Sequence, residues 1–178
     1  MNAICGRRSV RDYKVKPIPD SIIKELLKAG AMAPSAEDTR PCRFVVIKNR
    51  DRIRELSDAV KEALGAPDVL EELAADTTMK EDVIFYGAPL LILILAESGI
   101  FRETDCALAA QNMMLRAYDL DVGSCFIGLA NALRERRDIL KSLGAMEQQE
   151  LYCALIFGYP KEWPKPKDRK AEVINIVE

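Results

Sequence analysis

Pro89-Leu90-Leu91-Ile92-Leu93-Ile94-Leu95-Ala96 is apolar at every position. A strand with one wet face alternates polar and apolar residues. A run without alternation is a strand covered on both faces, in the middle of a sheet. Shorter runs supply its neighbours. Arg43-Phe44-Val45-Val46-Ile47-Lys48 is a β-branched run with charged ends, and Val122–Ile127 and Leu151–Phe157 complete the strands.

Between the strands the apolar spacing changes to that of helices. Ile22, Ile23, Leu26 and Leu27 share one helical face after Pro19-Asp20-Ser21, where Asp20 or Ser21 is the expected N-cap; Gly30 and Pro34 close the segment. Asp51–Leu64 is amphipathic, and Ala132–Leu143 is a further helix. Glu103–Leu120 is apolar or small on all sides from Cys106 to Ala110, which predicts a helix buried all round and points to a subunit interface. The charged stretch Ala66–Tyr86 is expected to form one or two short helices as an excursion, a lid over whatever the protein binds. Val173–Val177 alternates like an edge strand added to another sheet.

The chain has 178 residues with 49% apolar content, enough for a single globular domain over residues 1–178. Its 26 basic and 28 acidic residues give a net charge of -2, which argues against a general nucleic-acid binder. There is no histidine, and the five cysteines form no C-x-x-C pair, so neither a zinc site nor a His-dependent nucleophile is expected. Scattered cysteines read as reduced thiols of a cytoplasmic protein. The longest apolar run, Ala88–Ala96, is too short to cross a bilayer, so no membrane association is expected.

Against this balanced composition, the opening Gly6-Arg7-Arg8-Ser9-Val10-Arg11-Asp12-Tyr13 is locally basic. Guanidinium forks and a serine hydroxyl can hold a phosphate, although a short basic run is also an ordinary solvated face. A second basic cluster, Lys165-Pro166-Lys167-Asp168-Arg169-Lys170, lies near the other end. The loop Ala33–Phe44 carries two prolines and small polar residues, suited to a flat polar ring or to a plain connection. Gly128 closes Gly123-Ser124-Cys125-Phe126-Ile127-Gly128, either for close backbone approach to a ligand or for a turn.

Five segments in order resemble the nitroreductase family of flavin-dependent oxidoreductases along nearly the whole chain: R-R-S-x-R at Arg7, A-P-S at Ala33, Asp105–Leu115, Gly123–Gly128, and Gly158-Tyr159-Pro160 with Lys165–Arg169. The resemblance implies an α+β fold, with a central mixed, mostly antiparallel sheet flanked by helices, in an intertwined homodimer with FMN at the interface. Carried over by position, Arg7, Arg8, Ser9, Lys167 and Arg169 would hold the FMN phosphate, and Arg11 would sit at the N1/O2 edge. Pro34, Ser35, Ala36, Asp38 and Gln111 would reach the flavin of the partner. The backbone at Ile127 and Gly128 would face N5 and O4. No side chain would be catalytic and no metal would be needed. NAD(P)H would be the donor, and an electron-poor small molecule, nitroaromatic or quinone-like, the acceptor in a ping-pong cycle. The alternatives are a flavin-storing or flavin-sensing protein of the same fold, a family branch with specialised chemistry, and a binder of another phosphorylated ligand. Asp38, Arg40 and Cys42 stand where the family often has Asn, Gln and Trp, which bears on substrate and redox behaviour rather than fold.

Overall fold

The computed structural model describes residues 2–75, 82–165 and 169–177. Among these residues, β1 (Arg43–Ile47), β2 (Leu90–Glu97), β3 (Gly123–Phe126) and β4 (Gln149–Gly158) form one sheet in the order β1-β2-β4-β3. Every ladder is antiparallel, with Val45 opposite Leu93 and Ile92 opposite Leu155. The parallel element is a single bridge between Ser9 and Ser124.

β2 occupies the centre that its sequence demands, and Leu90–Ala96 are all buried. Its alternation divides the side chains between two cores. Leu91, Leu93 and Leu95 pack with Ile53, Leu56 and Val60 of α3 (Arg50–Leu64). Leu90, Ile92 and Ile94 pack with Ile23 and Leu26 of α2 (Asp20–Ala31) and Met113 of α5 (Arg102–Asp119). Each such side chain contributes about 1.5–3 kcal/mol on burial, so this strand ties both helical layers to the sheet. The remaining helices are α1 (Asn2–Gly6), α4 (Pro67–Ala75) and α6 (Arg137–Ser142).

Several local expectations are corrected. α2 begins at Asp20 with Pro19 as N-cap and no side-chain cap; Asp20 instead binds Lys48 at 2.6 Å. The helix expected over 132–143 is broken at Arg136. A 3₁₀ segment, Gly128–Glu135, precedes it and α6 follows. Arg136 leaves the helical conformation while its guanidinium binds Asp138 and Glu62.

The expected excursion ends earlier than Tyr86. Asp82, Val83, Ile84 and Phe85 form a buried turn, and residues 76–81, the rest of the proposed lid beyond α4, lie outside the described residues. Buried Asp82 anchors this turn by accepting from Ser57 Oγ (2.7 Å), Phe85 N (2.9 Å) and Gly87 N (3.0 Å).

α5 is not buried all round within one chain. Cys106, Ala109, Ala110 and Met113 face inward, whereas Ala107, Leu108 and Gln111 are exposed. The tail from Val173 to Val177 is exposed and forms no strand within one chain. Among the described residues no helix is long and apolar enough to cross a membrane.

Candidate functional site

The N-terminal segment reaches the site by lying along β3 and the end of β4. Val10 N donates to Ser124 O (3.0 Å), and Lys14 N donates to Tyr159 O (2.8 Å). Tyr13 is bridged to Pro160, and its hydroxyl donates to Val10 O at 2.5 Å. Two glycines make the docking possible. A Cβ on Gly123 would stand 2.8 Å from Val10 Cγ2, and one on Gly158 would stand 2.5 Å from the Tyr13 ring. α1 is set by a third: a Cβ on Gly6 would overlap the Tyr118 ring.

This docking gathers cations at one end of β3. Burial, then the neighbouring Arg169 and Arg8 charges, lower the pKa of Arg7. Mutual repulsion of this kind is what an anion relieves. Arg8 Nη1 donates to the carbonyls of Cys5 (2.8 Å) and Arg7 (2.7 Å), but its Nε is buried with no partner. Ser124 Oγ is likewise buried and unpartnered. Cys125 is pushed up by burial, partly offset by Arg11, a hydrogen bond to Ser9, and Arg7. The charge of Arg169, far along the chain, is felt at Arg7; Lys167 lies outside the described residues.

Arg11 is exposed, with its guanidinium 5.8 Å from the centre of the Tyr86 ring. Tyr86 has a left-handed backbone (φ 55°), and burial raises its pKa. Sequence reasoning did not select Tyr86 or Ser124. The only local trace of the first is the following Gly87, which completes a tight turn at positive φ.

The Pro34–Asp38 loop is held by buried Asp105, whose Oδ1 accepts from Ala36 N at 3.0 Å while Oδ2 binds Arg102 at 3.0 Å. Ser35 Oγ accepts from Arg40 N at 2.9 Å. Glu37, Asp38 and Arg40 all have positive φ, near 50°, so the loop is a compact left-handed turn. Asp38 is bonded twice by Arg40, at 2.9 and 2.5 Å, and this hydrogen bonding holds its carboxyl below the ordinary range. The two departures from the family pattern thus compensate each other. Pro34, Asp38 and Gln111 are exposed and Ser35 and Ala36 half-buried; the structure does not bring this group to the Arg7 cluster of the same chain through any bond among the described residues.

Ile127 N donates to Ala154 O at 2.9 Å, so this backbone donor is already engaged. Gly128 is exposed, with nothing within 4 Å of where a Cβ would stand. Among the described residues no group of three or more Cys, Asp or Glu side chains is placed to hold a metal ion.

A model of the nitroreductase family matches residues 4–159. The crystal structure of a nitroreductase with bound FMN from Bacteroides fragilis NCTC 9343 is similar with a TM-score of 0.86 at 33% identity, covering 99% of this chain and 97% of that one. An FMN-bound nitroreductase from Desulfitobacterium hafniense DCB-2, 22% identical, shares the fold with a TM-score of 0.83 over 99% and 97% of the two chains. A Methanothermobacter thermautotrophicus protein named "Putative NADH dehydrogenase/NAD(P)H nitroreductase" is 29% identical over 174 residues, 94% of this chain and 81% of its own length. With the docked N-terminal segment, the antiparallel sheet and the loop after α2 all in place, these matches along nearly the whole length establish that the chain belongs to the nitroreductase family.

Proposed function

We propose that this protein is an FMN-dependent NAD(P)H oxidoreductase that acts as a cytoplasmic homodimer. The observation that carries the reading is the basic run Arg7-Arg8-Ser9 docked against β3, with Arg8 Nε buried and unpartnered and the charge of Arg169 acting on Arg7. Crowded cations with unused donors fit a phosphate monoester. One such cluster, with no G-x-G-x-x-G turn for a pyrophosphate, selects FMN over FAD. The family resemblance would add Lys167, which lies outside the described residues, to the phosphate set.

Around the ring, Arg11 is assigned the N1/O2 edge. Gly128, open where a Cβ would stand, would allow close approach of the ring, and Ile127, whose N–H is engaged by Ala154, would offer its surface rather than a donor. When bound, FMN supplies hydride acceptance at N5 and delivery to a second substrate. The chain binds, orients and tunes; it offers no histidine, and none of its side chains is required as acid or base. NAD(P)H and an electron-poor acceptor, nitroaromatic or quinone-like, use the same open face in turn.

The dimer follows from what one chain leaves uncovered. Met32 (74% exposed), Leu108 (41%) and the tail residues Ile174 and Val177 are apolar and open. A second copy would cover them and bring Pro34, Ser35, Ala36, Asp38 and Gln111 to the neighbouring FMN. Removing the tail from Ala171 onward is therefore expected to weaken dimer and FMN binding together, as read by light scattering and bound-flavin absorbance.

The activity is tested by steady NAD(P)H oxidation with an added acceptor. Parallel double-reciprocal plots support the ping-pong order, and converging plots contradict it. FMN binding without NAD(P)H consumption by any acceptor favours the flavin-holding alternative.

A cation beside N1/O2 favours reduced over oxidised flavin. Arg11→Gln is expected to lower the two-electron midpoint potential by about 30 mV or more, 30 mV being about 1.4 kcal/mol. Asp38→Asn leaves Arg40 unpaired and adds one net positive charge to the loop, so any shift should be upward, and small because the pair is exposed and screened by solvent. Redox titration of both variants checks the two signs, and an unchanged potential in Arg11→Gln with FMN fully bound would take Arg11 off the ring.

A further inference from the structure

Cys42 and Cys106 are 64 positions apart in sequence, yet their Sγ atoms are 3.8 Å apart. Cys42 immediately precedes β1, and Cys106 lies in the first turns of α5. Cys42 Sγ is also 3.8 Å from the carbonyl oxygen of Asp105. The two sulfurs differ in access. Cys42 is half-buried and lines a cavity of about 220 Å³ with Pro34, Ser35 and Arg43, whereas Cys106 is fully buried behind it. A water molecule takes about 30 Å³ of liquid, so this cavity admits a small peroxide.

The pair is also asymmetric in ionisation. Contact with Cys106 lowers the Cys42 thiol against the opposing effects of burial and the Asp105 carboxylate, with Arg43 and Arg102 adding smaller help, while Cys106 is pushed far up. Cys125 and Cys153 are raised by burial, Cys153 to about 12. A sulfur that lines an open cavity, with a second sulfur in contact behind it, is the arrangement of an attacking and a resolving cysteine.

We propose that Cys42 and Cys106 form a peroxide-responsive thiol pair, in which a hydroperoxide oxidises Cys42 and Cys106 closes a disulfide. The Cys42 thiolate attacks one peroxide oxygen; the O–O bond breaks, and the departing hydroxide or alkoxide takes a proton to leave as water or alcohol. Cys106 sulfur then attacks the Cys42 sulfenic acid; the S–O bond breaks, and water leaves with the Cys106 proton. The two electrons lost by the sulfurs reduce the peroxide. Closure requires the sulfurs to approach by about 1.8 Å, to a bond of about 2.05 Å. The disulfide ties the chain just before β1 to α5, beside the Asp105 carboxylate that holds Ala36 of the preceding loop. The cavity shares Pro34 and Ser35 with the loop proposed above to reach the neighbouring FMN, so the test is run on protein with and without bound flavin.

The test uses the whole purified protein, reduced, exposed to hydrogen peroxide, then denatured and alkylated for peptide mass mapping. Exposed Cys5 monitors the peroxide dose. The expected result is a Cys42–Cys106 cross-linked peptide lighter by two hydrogens than its reduced parts, reversed by dithiothreitol. In Cys106→Ser, Cys42 should persist as a sulfenic acid trapped by dimedone; in Cys42→Ser, Cys106 should remain an alkylatable thiol. The wild-type map decides even where a variant fails to fold. Full alkylation of both thiols at a dose that oxidises Cys5 would overturn the proposal. So would Cys42 over-oxidation as fast in wild type as in Cys106→Ser.

Discussion

Arg7→Ala is expected to purify largely without flavin and to bind added FMN at least about tenfold more weakly than wild type. A charge-assisted hydrogen bond contributes about 1.5–3 kcal/mol, and about 1.4 kcal/mol is tenfold in affinity. The empty protein should respond in the opposite sense. Arg7 is crowded by Arg169 and Arg8, so removing it relieves repulsion and should leave the unliganded melting temperature unchanged or raised. Lys61→Ala, at a lysine bound to Asp58 on α3, should leave FMN affinity intact. Flavin titration by fluorescence and a melting curve of the stripped protein read both signs. Equal loss of affinity in the two variants would reduce the Arg7 cluster to surface charge.

The largest effect on stability is expected from Asp82→Ala. Its carboxylate accepts hydrogen bonds from one hydroxyl and two backbone N–H groups in a buried turn. Each donor left unpaired costs about 1–3 kcal/mol, so the total is about 3 kcal/mol or more. For a domain of this size, about 2–4 °C per kcal/mol makes a melting temperature lower by roughly 6–12 °C. The same turn sets the left-handed Tyr86 against Arg11, so Asp82→Ala should also disturb the site. Glu71→Ala on α4, exposed, serves as the comparison and should change stability by less than about 0.5 kcal/mol. A loss below about 1 kcal/mol in Asp82→Ala would show that water replaces the carboxylate.

What the sequence made legible divides by physical range. β2 was readable because missing alternation is a local signal of two covered faces, and the structure splits its side chains between two cores. α2, α3 and α5 were readable from their apolar spacing. The turn at Asp82–Phe85 was misread as part of an excursion because charged residues around it mask Val83, Ile84 and Phe85; the carboxylate that anchors it reaches Ser57 on another element. The break at Arg136 coincides with its ion pairs to Asp138 and to Glu62 on α3, the second of which no local window contains. α5 read as buried all round because its composition does not say which of its faces this chain covers and which it leaves open.

The site shows the same division. The two basic clusters stood out by composition, but nothing local in Gly123 or Gly158 announces that Val10 and Tyr13 lie against them. Without those two close approaches Arg7 and Arg169 have no reason to meet. Asp38 and Arg40 are the opposite case. Two residues apart and both unusual for the family, they pair as short-range chemistry allows. Tyr86 and Ser124 escaped notice because each becomes functional-looking only through a tertiary neighbour, Arg11 for one and Ser9 for the other.

The central claim is that the Arg7–Arg169 cluster is a phosphate site for FMN, and the most direct measurement is the pigment itself. Freshly purified protein is denatured, the released chromophore is separated, and its mass is determined. The account predicts a yellow protein releasing FMN. FAD as the released flavin, or a colourless protein that also fails to bind added FMN, would contradict it.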